Sequence, residues 1–158
     1  MVKLNLSSQI VLNKVPEEFY HPKTAVELSE LTRCEKLPTT IFPKTEEGAL
    51  SIATTIANAI RQKQQSGQYC VLGLGTGSSL TPVFNELIRL HKEEKLSFSN
   101  VVVFNAYEYF PLQPSAKNST LNQLKERLLN HIDIKPQNVF TLEGTVPQER
   151  VQESCRLY

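Results

Sequence analysis

The chain has 158 residues, enough for one compact domain with a real core and too few to promise two. Its 17 Lys and Arg against 16 Asp and Glu leave a formal charge of +1, scattered rather than massed, which points away from nucleic acid and membrane surfaces as partners. Cys34, Cys70 and Cys155 form no C-x-x-C pair and no window approaches about 18 apolar residues, so the expectation is a cytoplasmic protein with reduced thiols, no metal site and no membrane span.

Residues 1–38 read as an N-terminal extension of weak periodicity, broken by Pro16, Pro22 and Pro38. Leu4, Leu6, Ile10, Val11 and Leu12 are apolar enough to dock on something, and residues 24–33 (TAVELSELTR) suit a short helix. The main domain is expected over residues 39–158. Thr40, Ile41 and Phe42 read as a short edge strand ended by Pro43, and Thr45 as the cap of a helix opening with Glu46 and Glu47, charges suited to its positive end. Ala49, Ile52, Ala53, Ile56, Ala57 and Ile60 then fall on one helical stripe that must lie on a core, and Gly67 stops the helix.

The stretch from Gln68 to Pro82 (QYCVLGLGTGSSLTP) passes from a mostly apolar run through Gly73, Gly75 and Gly77 into hydroxyl residues and a Pro, the order of strand, tight turn and helix start. Amides at a helix start lack intrahelical partners and carry partial positive charge, so they suit an anion such as phosphate. Glycines let the backbone approach such a group, and Thr76, Ser78, Ser79 and Thr81 add hydroxyl donors. A sharp strand-to-helix turn with no ligand is the competing reading. The dinucleotide fingerprint fails because Ser78 stands at its third glycine, and the Walker loop fails because no Lys follows Gly77.

Pro82 suits the first turn of the next helix, with Thr81 or Ser79 as its cap, and Phe84, Leu87, Ile88 and His91 form the buried face. His91 reads as a helix-end side chain. The run Val101–Phe104 is of the kind buried on both faces of a parallel sheet. Ligands bind outside the carboxyl ends of such strands, so residues 105–109 (NAYEY) are placed in the same crevice as the glycine turn. A proline-containing loop over residues 110–117 follows, then a helix capped by Ser119 with Leu121, Leu124 and Leu128 inward, a third strand over residues 138–142, and a final helical pattern at Val151, Cys155 and Tyr158. The fold class expected is α/β: a doubly wound, mainly parallel, Rossmann-like sheet with helices on both faces, incomplete at its C-terminal end.

From about Thr40 onward the chain resembles the glucosamine-6-phosphate deaminases, aldose–ketose isomerising enzymes that turn glucosamine 6-phosphate into fructose 6-phosphate and ammonia. The likeness rests on residues 73–80 (GLGTGSSL) against a family loop G-L-P-T-G-G-T-P, on Leu96-Ser97-Phe98 before the strand Val101–Asn105, on His131-Ile132-Asp133-Ile134, and on Leu142-Glu143-Gly144. It implies that Gly75, Thr76, Gly77, Ser78 and Ser79 bind the phosphate of a small-molecule sugar phosphate, that no cofactor is needed, and that the protein is a homo-oligomer. The family's N-x-D-E-Y reads here Asn105-Ala106-Tyr107-Glu108-Tyr109, so Tyr107 stands where the family has its proton-moving Asp, and the catalytic candidates are Tyr107 and Glu108. An ordinary Tyr is ionised to only about one part in a thousand at neutral pH, whereas a positioned base supplies roughly 10²–10⁴-fold in rate. The family's later Asp, His and Glu, which open the sugar ring, lie past Tyr158. Two readings follow: a deaminase-like enzyme seen in its N-terminal part, or a sugar-phosphate-binding or regulatory module that has lost its base.

Overall fold

The computed structural model describes residues 22–34, 37 and 39–158, and the chain divides into two units, Met1–Gly48 and Ala49–Tyr158. The apolar residues between Leu4 and Leu12 lie outside the described residues. In the first unit, helix α1 (Ala25–Thr32) starts where a capping box forms: the Thr24 hydroxyl accepts the Glu27 N–H at 3.2 Å, and the Glu27 carboxylate accepts the Thr24 N–H at 3.3 Å. Residues 40–42 are irregular, which corrects the expected edge strand. Among the described residues no strand pairs with them; Ile41 is exposed, and the Phe42 ring lies 3.3 Å from where a Cβ on Gly48 would stand. Helix α2 (Thr45–Gln65) has Thr45 as its first helical residue rather than its cap.

Helix α2 continues into the second unit and buries Ala49, Ala53, Ala57 and Ile60 there, while Ile52, placed on the same stripe by periodicity, is half-exposed. Small residues at the three alanine positions let the helix approach closely. The helix ends in a Schellman arrangement, with the Gln68 N–H donating to Lys63 O at 2.8 Å, the Gly67 N–H donating to Gln64 O at 3.0 Å, and Gly67 at φ +65°.

Three parallel strands, β1 (Cys70–Leu74), β2 (Val101–Asn105) and β3 (Val139–Phe140), lie in that order, with Cys70 opposite Val101 and Leu74 opposite Asn105. Val101, Val103 and Asn105 on one face of β2 are buried, and Val102 and Phe104 on the other are only half-buried, so the double burial expected of this strand holds for one face. Strand β3 is shorter than the sequence suggests because side chains replace ladder bonds at both its ends. The Asn138 amide donates to Val101 O at 3.0 Å, and the Tyr158 hydroxyl donates to Phe140 O at 3.1 Å.

Helix α3 (Thr81–Glu94) packs Val83, Phe84, Leu87 and Leu90 into the core, and α4 (Thr120–Arg127) adds Leu124, followed by Leu128 and Leu129. Helix α5 (Val151–Leu157) closes the described chain and brings Tyr158 edge-on to Phe104, which itself stacks on Phe140 at 4.9 Å between centroids. His91 is the helix-end residue expected: its Nδ1 lies 2.6 Å from Leu96 O, and its ring sits edge-on to Phe98. Nearby, burial alone would raise the Asp133 carboxyl, but the Phe98 N–H, the Ser97 hydroxyl and His91 together hold it below the usual carboxylate range. This tie lies at the N-terminal edge of the sheet, opposite the glycine turn. Among the described residues no helix is long and apolar enough to cross a membrane.

Candidate functional site

The two stretches singled out by sequence begin at one rung of the sheet. Leu74 and Asn105 are partners in register, and the Ala106 N–H donates to Leu74 O at 2.8 Å, so the chain leaves β1 and β2 side by side before the loops diverge. Beyond β1, Gly75 and Thr76 turn inward and Gly77, Ser78 and Ser79 turn out to solvent. A 3₁₀ turn (Ser78–Leu80) leads into α3, with the Leu80 N–H donating to Gly77 O at 3.0 Å. Leu80 therefore occupies the cap position of α3 with no side-chain cap bond, which corrects the expectation that Thr81 or Ser79 caps the helix. Pro82, the second helical residue, has no N–H for a capping hydroxyl to accept.

None of the three loop glycines has positive φ, and a Cβ on Gly75 or Gly77 would meet its nearest neighbour at 3.5 or 3.6 Å, an ordinary contact. The protein itself does not demand glycine here. What their bareness provides is open space above the backbone at Gly73 and, at the exposed Gly77, only the Ser79 hydroxyl nearby, which lets a ligand approach the backbone closely.

Tyr107 reaches across this turn. Its ring edge lies 3.5 Å from the Cβ position of Gly75, its hydroxyl is 3.5 Å from Thr76 Oγ1, and Tyr109 packs against it in a T-shape with centroids 6.0 Å apart. Thr76 is buried to 5% exposure, so its hydroxyl faces Tyr107 rather than solvent.

Glu108 points elsewhere. Its carboxylate accepts the Ser119 hydroxyl at 2.8 Å, the Tyr109 N–H at 2.9 Å, the Thr120 N–H at 3.0 Å and the Leu121 N–H at 3.2 Å. Burial pushes this carboxyl up, and the four donors more than offset it, so its pKa lies below the usual value. Three of the four donors belong to the start of α4, where an anion also meets the positive end of the helix. The Thr120 hydroxyl bridges Tyr107 O and the Asn105 amide, and the Tyr158 hydroxyl donates to Asn105 O at 2.8 Å. Behind them, the Leu112 N–H donates to Gly144 O at 2.8 Å, pinning residues 109–112 onto the segment after β3.

Sequence reasoning missed Arg127, the last residue of α4. Its guanidinium donates to Thr76 O at 2.7 Å and so reaches the glycine turn from fifty-one residues away. A basic residue in a last helical turn reads as a partner of the helix's own carbonyls, and no local signal marks this one as a loop contact. Among the described residues, no group of three or more His, Cys, Asp or Glu side chains is gathered to hold a metal ion.

Residues 43–158 match the family described as glucosamine-6-phosphate isomerases/6-phosphogluconolactonase. The chain belongs to this family. It is 55% identical over 157 residues to a glucosamine-6-phosphate deaminase-like protein of Bacteroides thetaiotaomicron, a match covering 99% of this chain and 24% of that one. It is 42% identical over 115 residues to glucosamine-6-phosphate deaminase 2 of Giardia intestinalis, covering 73% of this chain and 41% of the relative. A solved glucosamine-6-phosphate deaminase described as monomeric superposes with a TM-score of 0.67 at 34% identity, over 73% of this chain and 45% of its own. The 6-phosphogluconolactonase of Trypanosoma brucei, at 18% identity and a TM-score of 0.58, shares the fold. The chain thus spans less than half the length of each of these deaminase relatives.

Proposed function

We propose that this chain supplies the phosphate-binding part of a glucosamine-6-phosphate deaminase-like enzyme, which isomerises an amino-sugar phosphate from aldose to ketose and releases ammonia, giving fructose 6-phosphate. The observation that carries the reading is the exposed turn Gly77–Ser79, set beyond the carboxyl ends of adjacent parallel strands, with Tyr107 against Gly75 and Thr76 just before it. In this reading the backbone amides and hydroxyls of Gly77, Ser78 and Ser79 hold the phosphoryl oxygens, while Gly75 and Thr76 shape the turn beneath them.

The sugar then extends from the turn toward Tyr107. Moving a proton between its first two carbons calls for a base within hydrogen-bond reach. Glu108 is a poor candidate, because both carboxylate oxygens are already held by two donors each. We therefore assign Glu108 to anchoring α4 and Tyr107 to contact with the sugar, with slow proton transfer as the consequence. The chemistry asks for neither metal nor organic cofactor.

The test is to supply the full-length protein with glucosamine 6-phosphate and follow ammonia and fructose 6-phosphate, with binding measured in parallel by calorimetry. Turnover supports the enzyme. Binding without turnover turns the reading into that of a sugar-phosphate-binding module, and absence of binding refutes the site.

A further inference from the structure

We infer that Arg127 is a positioning residue for the glycine turn and sets how tightly that turn holds a dianionic phosphate ester. The inference rests on the turn being the phosphate site. The half-buried guanidinium donates to Thr76 O at 2.7 Å, and Thr76 C=O belongs to the same peptide unit as Gly77 N–H. In a trans peptide the two groups point in opposite directions, so a cation gripping the oxygen from beneath leaves the N–H facing outward. It also withdraws electron density through the amide, which strengthens that N–H as a donor, and it places a full positive charge below the anion.

The contact serves the turn rather than the helix. Helix α4 is already fixed at its start by the Ser119 cap and by Glu108, and along its length by buried Leu124 with Leu128 just beyond. Through Glu108 at one end and Arg127 at the other, the helix ties the segment after β2 to the turn after β1. A charge partner for the helix dipole alone would lie along its own last carbonyls; this one is spent on a carbonyl of another loop.

The test uses the full-length protein carrying Arg127→Met and Arg127→Lys, with binding of glucosamine 6-phosphate and, separately, of inorganic phosphate measured by calorimetry at low and high salt. A unit charge several ångströms from the anion, at an effective dielectric between protein surface and water, is worth about tenfold in affinity. Arg127→Met is expected to weaken both ligands by about that factor at low salt, with the gap narrowing at high salt, and Arg127→Lys to recover most of it. Wild-type affinity in Arg127→Met overturns the inference, and so does a loss that neither salt nor lysine alters, since that describes a packing role. If the wild-type protein binds neither ligand, the phosphate-site reading falls and takes this one with it.

Discussion

Glu108→Gln separates an anchoring carboxylate from a catalytic one. The side chain keeps its shape, but one of its two acceptor oxygens becomes an NH₂ group. In the native protein each oxygen meets two donors: Oε1 takes the Tyr109 and Thr120 amides, and Oε2 takes the Ser119 hydroxyl and the Leu121 amide. With the NH₂ at the Oε1 position two amide donors face a donor; at the Oε2 position only the Leu121 amide does, because the Ser119 hydroxyl can turn to accept. Hydrogen bonds to a charged group are worth about 1.5–3 kcal/mol each and neutral ones about 0.5–1.5 kcal/mol, so losing at least one bond outright and the charge on the others costs roughly 3–6 kcal/mol before water re-enters. Glu108 is only part-buried and water reaches the start of α4 in the variant, so a net loss of about 2–4 kcal/mol is expected, or roughly 5–12 °C in melting temperature. The pH dependence has a definite sign. A carboxyl whose folded-state pKa is lowered contributes stability that is present above its unfolded value, near ~4.3, and is lost as pH falls through the folded value. The melting gap between wild type and variant should therefore be full at pH 7 and close on acidification. Thermal melts followed by circular dichroism across that range read both quantities. A variant that melts like the wild type, or that keeps its stability while the full-length protein loses turnover, would refute the anchor argument.

Two further substitutions test the local geometry. A Cβ on Gly144 would stand 2.6 Å from Leu112 O and 2.7 Å from Tyr109 O, closer than real contacts allow, so Gly144→Ala should displace residues 109–112, cost about 1–3 kcal/mol in a thermal melt and weaken sugar-phosphate binding through Tyr109. Gly67→Ala meets open space but sits at φ +65°, so it should cost about 1 kcal/mol by denaturant titration and leave ligand binding unchanged.

The parts of this fold legible in the sequence are those with local causes. Apolar runs gave β1 and β2, Ser119 and Gly67 marked helix ends, and Gly73, Gly75 and Gly77 marked the turn. Where a side chain competes with the backbone, local pattern fails: Asn138 and Tyr158 bond at the two ends of the short β3, and residues 40–42 have no partner strand among the described residues. The same limit hid the ties around the candidate site. Glu108 was legible as a residue beside Tyr107, but its engagement with Ser119, Thr120 and Leu121 depends on where α4 starts in space. Arg127 depends on where that helix ends.

Tyr107 bears on binding and on chemistry with opposite signs, and that makes it separable. Its ring overhangs Gly75 and its hydroxyl meets Thr76, so it fills space above the turn with an uncharged group. Tyr107→Asp empties that space and adds a carboxylate close to where a phosphate is proposed to bind. The added charge repels a dianion, so affinity for glucosamine 6-phosphate should fall, by about tenfold for like charges several ångströms apart at a partly solvated site. The same carboxylate is a far better proton acceptor at neutral pH than a phenol, so the rate at saturation should rise, within the roughly 10²–10⁴-fold that a positioned base supplies. Steady-state kinetics on the full-length protein read both: KM and kcat should increase together. A rise in KM with kcat unchanged would mean that the residue at this position never faces the reacting carbons. A fall in both would mean that the phenol itself takes part in the chemistry, and the assignment of slow proton transfer to Tyr107 would be wrong.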